Sequence, residues 1–264
     1  MSKFVFIGGG NMASCLVGGI LANGVSKQEI LVSEPNPETR QKLEALHGVG
    51  TTEDNLSAAS RAETIILAVK PQVLGAVAEN LAPALGHGPC IISIAAGIPI
   101  SALQNWLGAD LAIVRAMPNT PAMVQSGATG LFANRSLTVD EKASVEKIFD
   151  AVGYTCWVQE EALIDAITAV SGSGPAYFFL VYETMLKVGQ ELGLDHKTAA
   201  DLTLHTALGA TRLALNSQAT PSELRQQVTS PGGTTQAAIE SFQSSGLEET
   251  FRDAMAAAVQ RAKQ

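Results

Sequence analysis

The chain has 264 residues, of which 46% are hydrophobic and 16% are charged, and its net charge is −8. Average soluble proteins contain about 25% charged residues, so this deficit predicts much buried surface and favours an oligomer over a monomer. The acidic balance argues against nucleic-acid binding, which needs a basic stripe, and the apolar content excludes disorder. The length predicts about two domains at ~150 residues each.

Three cysteines, Cys15, Cys90 and Cys156, are far apart and odd in number. They predict neither a disulfide framework nor a metal knuckle, and they are typical of small buried side chains in a reducing compartment. No metal site is expected. The first apolar run is too short for a signal peptide, and the apolar windows at 80–109 and 166–182 are interrupted by polar residues, Gly or Pro. We therefore expect a cytoplasmic protein without a membrane span.

The first 160 residues alternate short strand-like runs with helical stretches. Strand 4–7 precedes Gly8-Gly9-Gly10 and a helix over 11–22, and strand 30–33 precedes a polar helix that ends near residue 46. Further strands are predicted at 64–69, 90–94, 112–116, 128–132 and 154–158, with a helix over 139–152. Because helices separate the strands, residues 1–160 are predicted to form an α/β domain with the doubly wound, mostly parallel sheet of the Rossmann fold.

The pattern changes after residue 160, where no strand is predicted. Helices are expected at 162–170, 175–192, 196–216, 222–228, 234–244 and 247–263. The Ala- and Leu-rich faces of the three long helices exceed what a domain of about 100 residues needs for its own core. Residues 161–264 are therefore predicted to form an all-α dimerisation domain, which makes the protein a homodimer or a larger homo-oligomer.

The segment Gly8-x-Gly10-x-x-Ala13 follows a predicted strand and opens a predicted helix, which is the context of the dinucleotide-binding fingerprint. The first Gly permits the tight turn, the second lets the backbone approach a pyrophosphate, and the small third residue lets the helix pack closely on the strand. The pyrophosphate would bind the N–H groups at the helix N-terminus. Glycines also serve ordinary turns, so it is the strand–helix–strand context that predicts a bound dinucleotide.

The end of the second predicted strand leaves NAD and NADP both open. Glu34 stands where an acidic side chain would bind the ribose 2′-OH and repel a 2′-phosphate. Ser33, Asn36 and Arg40 are close enough in sequence to hold that phosphate instead. A third interpretation makes Glu34 a solvated loop charge and Asn36 a turn residue.

Three more loops follow predicted strands, at the edge where open α/β sheets bind ligands. They are Ala68-Val69-Lys70-Pro71, Ala95-Ala96-Gly97 and Met117-Pro118-Asn119-Thr120-Pro121. Small residues and prolines there would form a rigid wall against a flat nicotinamide ring. Each loop alone is a plain turn, and only their common edge makes them informative.

Two polar, glycine-rich segments separate apolar helices in the predicted second domain, namely residues 171–175 (SGSGP) and 229–235 (TSPGGTT). The second runs directly into a predicted helix, so it presents hydroxyls and successive N–H groups that suit a carboxylate. The alternative is a helix cap with a flexible turn, which is the simpler interpretation of one such segment taken alone.

Together these residues resemble the pyrroline-5-carboxylate reductase family over essentially the whole chain. The resemblance rests on FIGGGNMA, AVKPQ, SIAAG, RAMPNTP, SGSGPAYF and VTSPGGTT, of which the last three are long and specific. It implies a Rossmann domain and a helical domain that interlocks with a partner subunit. It also implies the last step of proline biosynthesis, the reduction of L-1-pyrroline-5-carboxylate to L-proline, usually with NADPH and also with NADH.

The resemblance implies a role for particular residues, position by position. The cofactor contacts would be Gly8, Gly9, Gly10, Asn11, Met12, Asn36, Asn55, Ala68, Lys70, Pro71, Ala95, Ala96 and Gly97. Within this set Asn36 falls where the family meets the adenosine phosphate, and Asn55 matches a ribose contact. The substrate carboxylate would bind Ser230, Gly233, Thr234 and Thr235, with the Thr235 hydroxyl beside the imine as the catalytic group. Relatives differ at Glu34 and Gln218, so the roles of these two residues stay open.

The chemistry that the resemblance implies needs no His–Asp dyad. Reducing an imine requires a hydride at carbon and a proton at nitrogen, and an imine is basic enough to arrive protonated or to take a proton through a hydroxyl or water. Surface or packing roles are therefore expected for His47, His87, His196 and His205. Catalysis would rest mainly on the proximity and orientation of the two bound reactants.

Two other functions compete with the reductase. A β-hydroxyacid dehydrogenase would need a lysine in its helical domain for proton transfer, but Lys187 and Lys197 lie in or near predicted helices with no glycine-rich loop beside them. A non-catalytic NADP-binding regulatory protein would not need two polar loops between its helices. Both therefore fit the sequence less well than the reductase.

Overall fold

The computed structural model describes residues 3–108, 110–135 and 137–262. One sheet has the strand order β3-β2-β1-β4-β5-β6-β7-β8. Its strands are β1 (Phe4–Ile7), β2 (Ile30–Ser33), β3 (Gly50–Thr52), β4 (Thr64–Leu67), β5 (Cys90–Ser93), β6 (Ile113–Met117), β7 (Gly127–Ala133) and β8 (Gly153–Trp157). Every neighbouring pair is parallel except β6 with β7, which is antiparallel. The predicted mostly parallel sheet is confirmed.

Helices cover both faces of this sheet. They are α1 (Asn11–Ala22), α2 (Pro37–His47), α3 (Asn55–Ala59), α4 (Pro71–Leu81), α5 (Ile100–Leu107) and α6 (Val139–Phe149). Successive side chains of β1 alternate between two apolar clusters, as the period of a strand requires. Phe4 and Phe6 pack with α1 and α6, whereas Val5 and Ile7 pack with α4 and α5. A strand buried on both faces reads as a continuous apolar run, which is why β1 and β4 were predictable.

The sequence prediction missed β3 and α3. Strand β3 is three residues long, and its Gly-Thr-Thr sequence contains no apolar run to signal a strand. Its existence depends on pairing with β2, in which Leu31 faces Gly50. The predicted helix over 139–152 is α6 followed by a 3₁₀ turn over Asp150–Val152.

No strand follows β8 in the part of the chain that is described. The segments there are α7 (Leu163–Ile167), a π turn (Thr168–Gly172), α8 (Gly174–Glu191), α9 (His196–Leu215), α10 (Pro221–Gln227), α11 (Thr234–Ser244) and α12 (Leu247–Ala262). Helix α9 begins where the Asp195 carboxylate accepts the Thr198 N–H, and α10 begins in a capping box between Thr220 and Glu223. The predicted all-α region is confirmed, and only its first helix differs, because α7 gives way to the π turn.

The chain divides into two compact units, one comprising Met1–Pro175 with Ala258–Gln264 and the other Ala176–Ala257. Helix α7 and the π turn belong to the first unit because they pack on the strands β6 and β7. The domain division between residues 160 and 161 stays a prediction about domain organisation, distinct from these packing units.

The second unit exposes many large apolar side chains. On α8, Phe178, Phe179 and Leu180 are 61%, 62% and 64% exposed, and on α9 Leu202 and Leu204 are more than half exposed. By length and apolar composition the segment Leu163–Glu191 also meets the criteria for a membrane-spanning helix, which the core helices of soluble proteins meet as well. Such faces need a cover of some kind in the functional protein.

Candidate active site

The carboxyl ends of β1, β4, β5 and β6 are consecutive along the sheet, and β1 is the point at which the strand order reverses. Ligands of open α/β sheets bind in the crevice at such a point. The four segments that follow these strands are residues 8–10, 68–71, 95–97 and 118–121. The tertiary structure therefore brings the three predicted cofactor loops, and the loop after β6, to one edge.

Gly8 shows why the turn after β1 requires glycine. Its φ is +102°, and a Cβ there would lie 2.7 Å from the Ala68 carbonyl oxygen and 2.9 Å from Val69 Cγ1. Any other residue would be strained and would collide with the backbone of the neighbouring loop. Gly10 is the N-cap of α1, has open space around its missing side chain and forms no side-chain capping bond. The N-terminus of α1, beginning at Asn11 and Met12, thus fits a pyrophosphate.

The Glu34 carboxylate holds the glycine turn and the loop after β2 together. Gly9 N–H donates to Glu34 Oε2 at 2.8 Å, and Asn36 N–H donates to Oε1 at 2.9 Å. The interpretation of Glu34 as a purely solvated loop charge is therefore wrong. Its carboxylate is already adjacent to the segment that would bind the cofactor.

Asn36 and Arg40 both stabilise the loop between β2 and α2. Asn36 Oδ1 accepts the N–H groups of Glu38 and Thr39 at 2.8 and 3.1 Å, so it caps α2. Arg40 Nη1 donates to the carbonyl oxygens of Glu34 and Pro35 at 2.7 and 2.9 Å. Asn36 is thus the turn residue of the third interpretation, and its cofactor contact stays a prediction.

Asn55, the predicted ribose contact, lies at the start of α3 next to the end of β2. Its Oδ1 accepts the hydroxyl of Ser33 at 2.6 Å. Of the other predicted cofactor residues, Lys70 is the exposed N-cap of α4 and Pro71 is its first residue. Ala95 is buried, whereas Ala96 is exposed.

The predicted carboxylate loop lies at the N-terminus of α11, in the second unit. Gly233 is the N-cap without a side-chain capping bond, and its N–H donates to the Ser230 carbonyl at 3.0 Å. Thr234 and Thr235 are exposed in the first turn of α11. Gln236, which the sequence analysis did not single out, accepts the Gly232 N–H at 2.7 Å. The structure thus divides the predicted site residues, with the cofactor residues in the first unit and the substrate residues in the second.

Gln218, whose role the resemblance leaves open, is exposed between α9 and α10.

An ion-pair cluster around the buried side chain of Arg115 was not predicted. Arg115, in β6, pairs with Glu161 at 3.2 Å and with Asp165 at 2.9 Å. Glu161 Oε1 also accepts the Ile100 N–H at the start of α5, at 2.8 Å. The one signal in the sequence was a lone arginine in the strand IVRAM. This cluster ties β6 to α5 and α7.

A groove of about 480 Å³ runs along α1 from Asn11 and includes Ser14, Cys15 and His47 in its lining. Ser14 Oγ and His47 Nε2 are 2.8 Å apart. Burial lowers the pKa of His47 and raises the pKa of the Cys15 thiol, so both groups favour their neutral forms. The packing role expected for His47 agrees with this contact.

Burial also raises the pKa of Cys90 to about 12, which makes its thiol unreactive. All three cysteines are unpaired. Among the described residues no group of three or more His, Cys, Asp or Glu side chains is arranged to hold a metal ion.

The mostly parallel sheet, its glycine turn and the loops at the carboxyl ends of its strands define a dinucleotide-binding protein of the Rossmann class. A family profile described as pyrroline-5-carboxylate reductase dimerisation matches residues 161–264, and one described as NADP oxidoreductase coenzyme F420-dependent matches residues 3–97. The chain is 48% identical to the pyrroline-5-carboxylate reductase of Pseudomonas aeruginosa, over 98% of this chain and 95% of that protein. It belongs to the pyrroline-5-carboxylate reductase family, which confirms the resemblance found in the sequence.

Solved structures of the same family have the same fold over nearly the whole chain. The pyrroline-5-carboxylate reductase of Coxiella burnetii superposes with a TM-score of 0.93 at 45% identity, and the comparison covers 99% of this chain and 97% of that one. The Plasmodium falciparum enzyme, solved with NADP bound, gives a TM-score of 0.89 at 30% identity with the same two coverages. The predicted architecture, a Rossmann region followed by a helical one, is confirmed.

Proposed function

We propose that this protein reduces L-1-pyrroline-5-carboxylate to L-proline, the last step of proline biosynthesis, with NADPH as the preferred donor and NADH as the weaker one. The observation that carries this proposal is the Gly8–Gly10 turn. Its backbone lies against the Ala68 loop over a helix N-terminus that has no side-chain cap, in a chain of the reductase family. Such a cradle suits the pyrophosphate of a dinucleotide.

In the proposed reaction the imine carbon gains a hydride and the nitrogen gains a proton, so the C=N bond becomes a C–N single bond. A bound nicotinamide cofactor supplies the hydride. The chain binds the pyrophosphate through the N–H groups at the start of α1. It orients the nicotinamide side with the small residues that follow β4 and β5, among them Ala68, Ala95 and Ala96.

The substrate carboxylate is proposed to bind the first-turn N–H groups of α11 and the hydroxyls of Ser230 and Thr234. The Thr235 hydroxyl would then donate a hydrogen bond to a neutral imine nitrogen and relay a proton to it, or accept the N–H of an imine that arrives protonated. An imine that arrives protonated needs no strong acid, so the main contribution of the chain is to orient the two reactants. Orientation of this kind can lower a barrier by about 7–11 kcal/mol.

We infer that a second copy of the chain covers the apolar faces of α8 and α9, so that the protein is a homodimer or larger. The exposed Phe178 and Phe179, the low charged fraction and the dimerisation profile over residues 161–264 support this. Burial against a second copy would also explain why Leu163–Glu191 is so apolar, so no membrane is needed to explain it. The three unpaired cysteines are consistent with a reducing, cytoplasmic location.

The direct test is to follow the loss of NADPH and NADH absorbance with purified protein and racemic pyrroline-5-carboxylate. We expect oxidation only when the imine is present, proline as the product, faster turnover with NADPH, and a dimer or larger particle by light scattering in the same buffer. Turnover of a β-hydroxyacid or a 2-keto acid with none on the imine would favour the dehydrogenase alternative. Cofactor binding without any turnover would favour the regulatory one.

Asn36→Asp is expected to raise the KM for NADPH by about three- to tenfold and to change the KM for NADH little. A second carboxylate beside Glu34 would repel the 2′-phosphate at short range, where screening is incomplete. The variant should fold, because an Asp oxygen can accept the same N–H groups of Glu38 and Thr39 that Asn36 now accepts. Steady-state kinetics with both cofactors give the result.

Asn36→Ser is the matched control, because serine also caps helices but adds no charge. It should leave the ratio of the two KM values close to that of the wild type. Equal effects of Asn36→Asp on both cofactors would show that the adenosine phosphate binds elsewhere. Glu34 would then be the ribose ligand for NADH.

A further inference from the structure

We propose that Asn119 is a positioning residue for hydride transfer, which clamps the loop after β6 to the π turn Thr168–Gly172. This inference rests on the proposed function, because it concerns the geometry of that reaction. Asn119 is 8% exposed, and its side-chain amide joins two segments that are distant in sequence. Its Oδ1 accepts the Ala128 N–H at 2.9 Å, and its Nδ2 donates to the Ser171 carbonyl at 3.0 Å.

The hydrogen bond from Asn119 to the Ser171 carbonyl replaces a helical N–H donor that is missing because of a proline. In a regular helix the Ser171 carbonyl would accept the N–H of the residue four positions later. That residue is Pro175, which has no N–H. The Nδ2 of Asn119 supplies the missing donor, so the motif containing residues 117–121 satisfies a carbonyl of the motif containing residues 171–175.

The bond to Ala128 extends the sheet beyond the end of β6. In the antiparallel pairing of β6 with β7, Met117 faces Gly130, so the same register would place Asn119 opposite Ala128. The main chain leaves the ladder at Pro118, which has no N–H. The Asn119 side chain takes the place of the main chain and holds the loop in line with the strand.

The two clamped segments are also in close steric contact. A Cβ on Gly172 would lie 2.5 Å from Met117 Cε, so a larger residue would require Met117 to move. The Ser173 N–H donates to the Thr168 carbonyl at 2.8 Å, the five-residue spacing of a π turn. Single π turns occur frequently at functional sites. The clamp therefore fixes a backbone segment that an ordinary helix would not provide.

The position of this clamp in the sheet connects it to the reaction. Strand β6 is the neighbour of β5, so the loop after β6 continues the edge formed by the proposed nicotinamide loops. The proposed pyrophosphate cradle at Gly8 follows β1, which is three strands away from β6 in the sheet. Its geometry does not depend on Asn119. Loss of the clamp should therefore disturb the orientation of the reacting ring more than the affinity for the cofactor.

The test uses Asn119→Asp, which keeps an acceptor for the Ala128 N–H and removes the donor to the Ser171 carbonyl. We expect kcat to fall by about 10- to 100-fold, the scale of a misplacement near 1 Å, while the KM for NADPH changes less than about threefold. The deuterium isotope effect on kcat with 4-deuterated NADPH should rise, because hydride transfer becomes slower than the other steps. Asn119→Ala, which buries no charge, is the second variant; it should also lower kcat and raise the isotope effect, again with little change in the KM for NADPH.

Asn134, the residue after β7, provides a matched control because its side chain bonds to the main chain at the amino end of β6. Its Oδ1 accepts the Ile113 N–H at 2.9 Å and its Nδ2 donates to the Leu111 carbonyl at 3.0 Å, so it makes the same two kinds of bond far from the ligand edge. Asn134→Asp should lower thermal stability but leave kcat and the isotope effect at wild-type values. Amide hydrogen exchange should be faster at residues 168–173 in Asn119→Asp and unchanged there in Asn134→Asp.

Wild-type kcat in a folded Asn119→Asp variant would overturn the proposal. So would a loss of kcat in both variants in proportion to their loss of stability, because Asn119 would then be merely structural. A wild-type protein that does not reduce the imine would defeat the proposed function instead. In that case the hydrogen-exchange comparison would still decide whether the clamp exists.

Discussion

Arg115→Ala is expected to lower the free energy of unfolding by about 3–5 kcal/mol, because it leaves two carboxylates in the protein without their cation. The Arg115 side chain is 6% exposed, and its partners Glu161 and Asp165 are 28% and 15% exposed. Asp165 lies in α7, which packs on β6 and β7, so its carboxylate would stay largely shielded from water after the arginine is removed. Urea denaturation of the wild type and the variant, followed by circular dichroism, would measure the difference.

Arg252 is the matched control for this prediction. It too pairs with two carboxylates, those of Glu248 and Glu249 at 2.9 and 3.3 Å, but its side chain is 62% exposed. Because water screens exposed pairs, Arg252→Ala should cost at most about 1 kcal/mol. Similar losses in the two variants would mean that burial does not determine the strength of the Arg115 cluster.

Thr235→Ala is expected to lower kcat by somewhat more than tenfold and to leave the KM for pyrroline-5-carboxylate almost unchanged. The variant removes the hydroxyl proposed to lie beside the imine but keeps the backbone N–H groups of the carboxylate cradle. Helix α11 should be unaffected, because Gly233 is its N-cap and no side chain caps it. Steady-state kinetics with saturating NADPH would measure both constants.

The size of the effect separates two roles for Thr235. A hydroxyl that only orients a protonated imine is worth about 1 kcal/mol, or about fivefold. An essential proton route would cost the ~10²–10⁴-fold that is typical of a lost general acid. Thr235→Ser keeps the hydroxyl and should restore nearly wild-type kinetics, whereas unchanged kinetics in Thr235→Ala would remove this residue from the mechanism.

The strands and helices that could be predicted from the sequence are those whose own pattern of apolar and polar residues reflects how they are buried. Strand β1 is a continuous apolar run because both faces of the sheet are covered, and α11 begins where Gly233 ends a glycine-rich turn. Strand β3 could not be predicted in the same way, because three polar residues become a strand only through pairing with β2.

The parts of the candidate site that could be predicted are those formed by one continuous segment of the chain. The glycine turn could be interpreted directly because Gly8 requires a positive φ that few other residues adopt. The contact between Glu34 and Gly9 could not, since several side chains in the loop after β2 were equally able to face the turn. The bond distances in the folded chain decide among them.

The sequence by itself determined the apolar strands, the long helices, the glycine turn and the family, and it predicted the carboxylate loop, because each depends on residues that are adjacent in the chain. Only the tertiary structure decided that Glu34 binds the glycine turn, that Arg115 is buried between two carboxylates and that Asn119 donates to Ser171. These contacts join residues 25 to 52 positions apart. Such pairs meet only because the strand order and register bring their segments together, and no local pattern of apolar and polar residues encodes that arrangement.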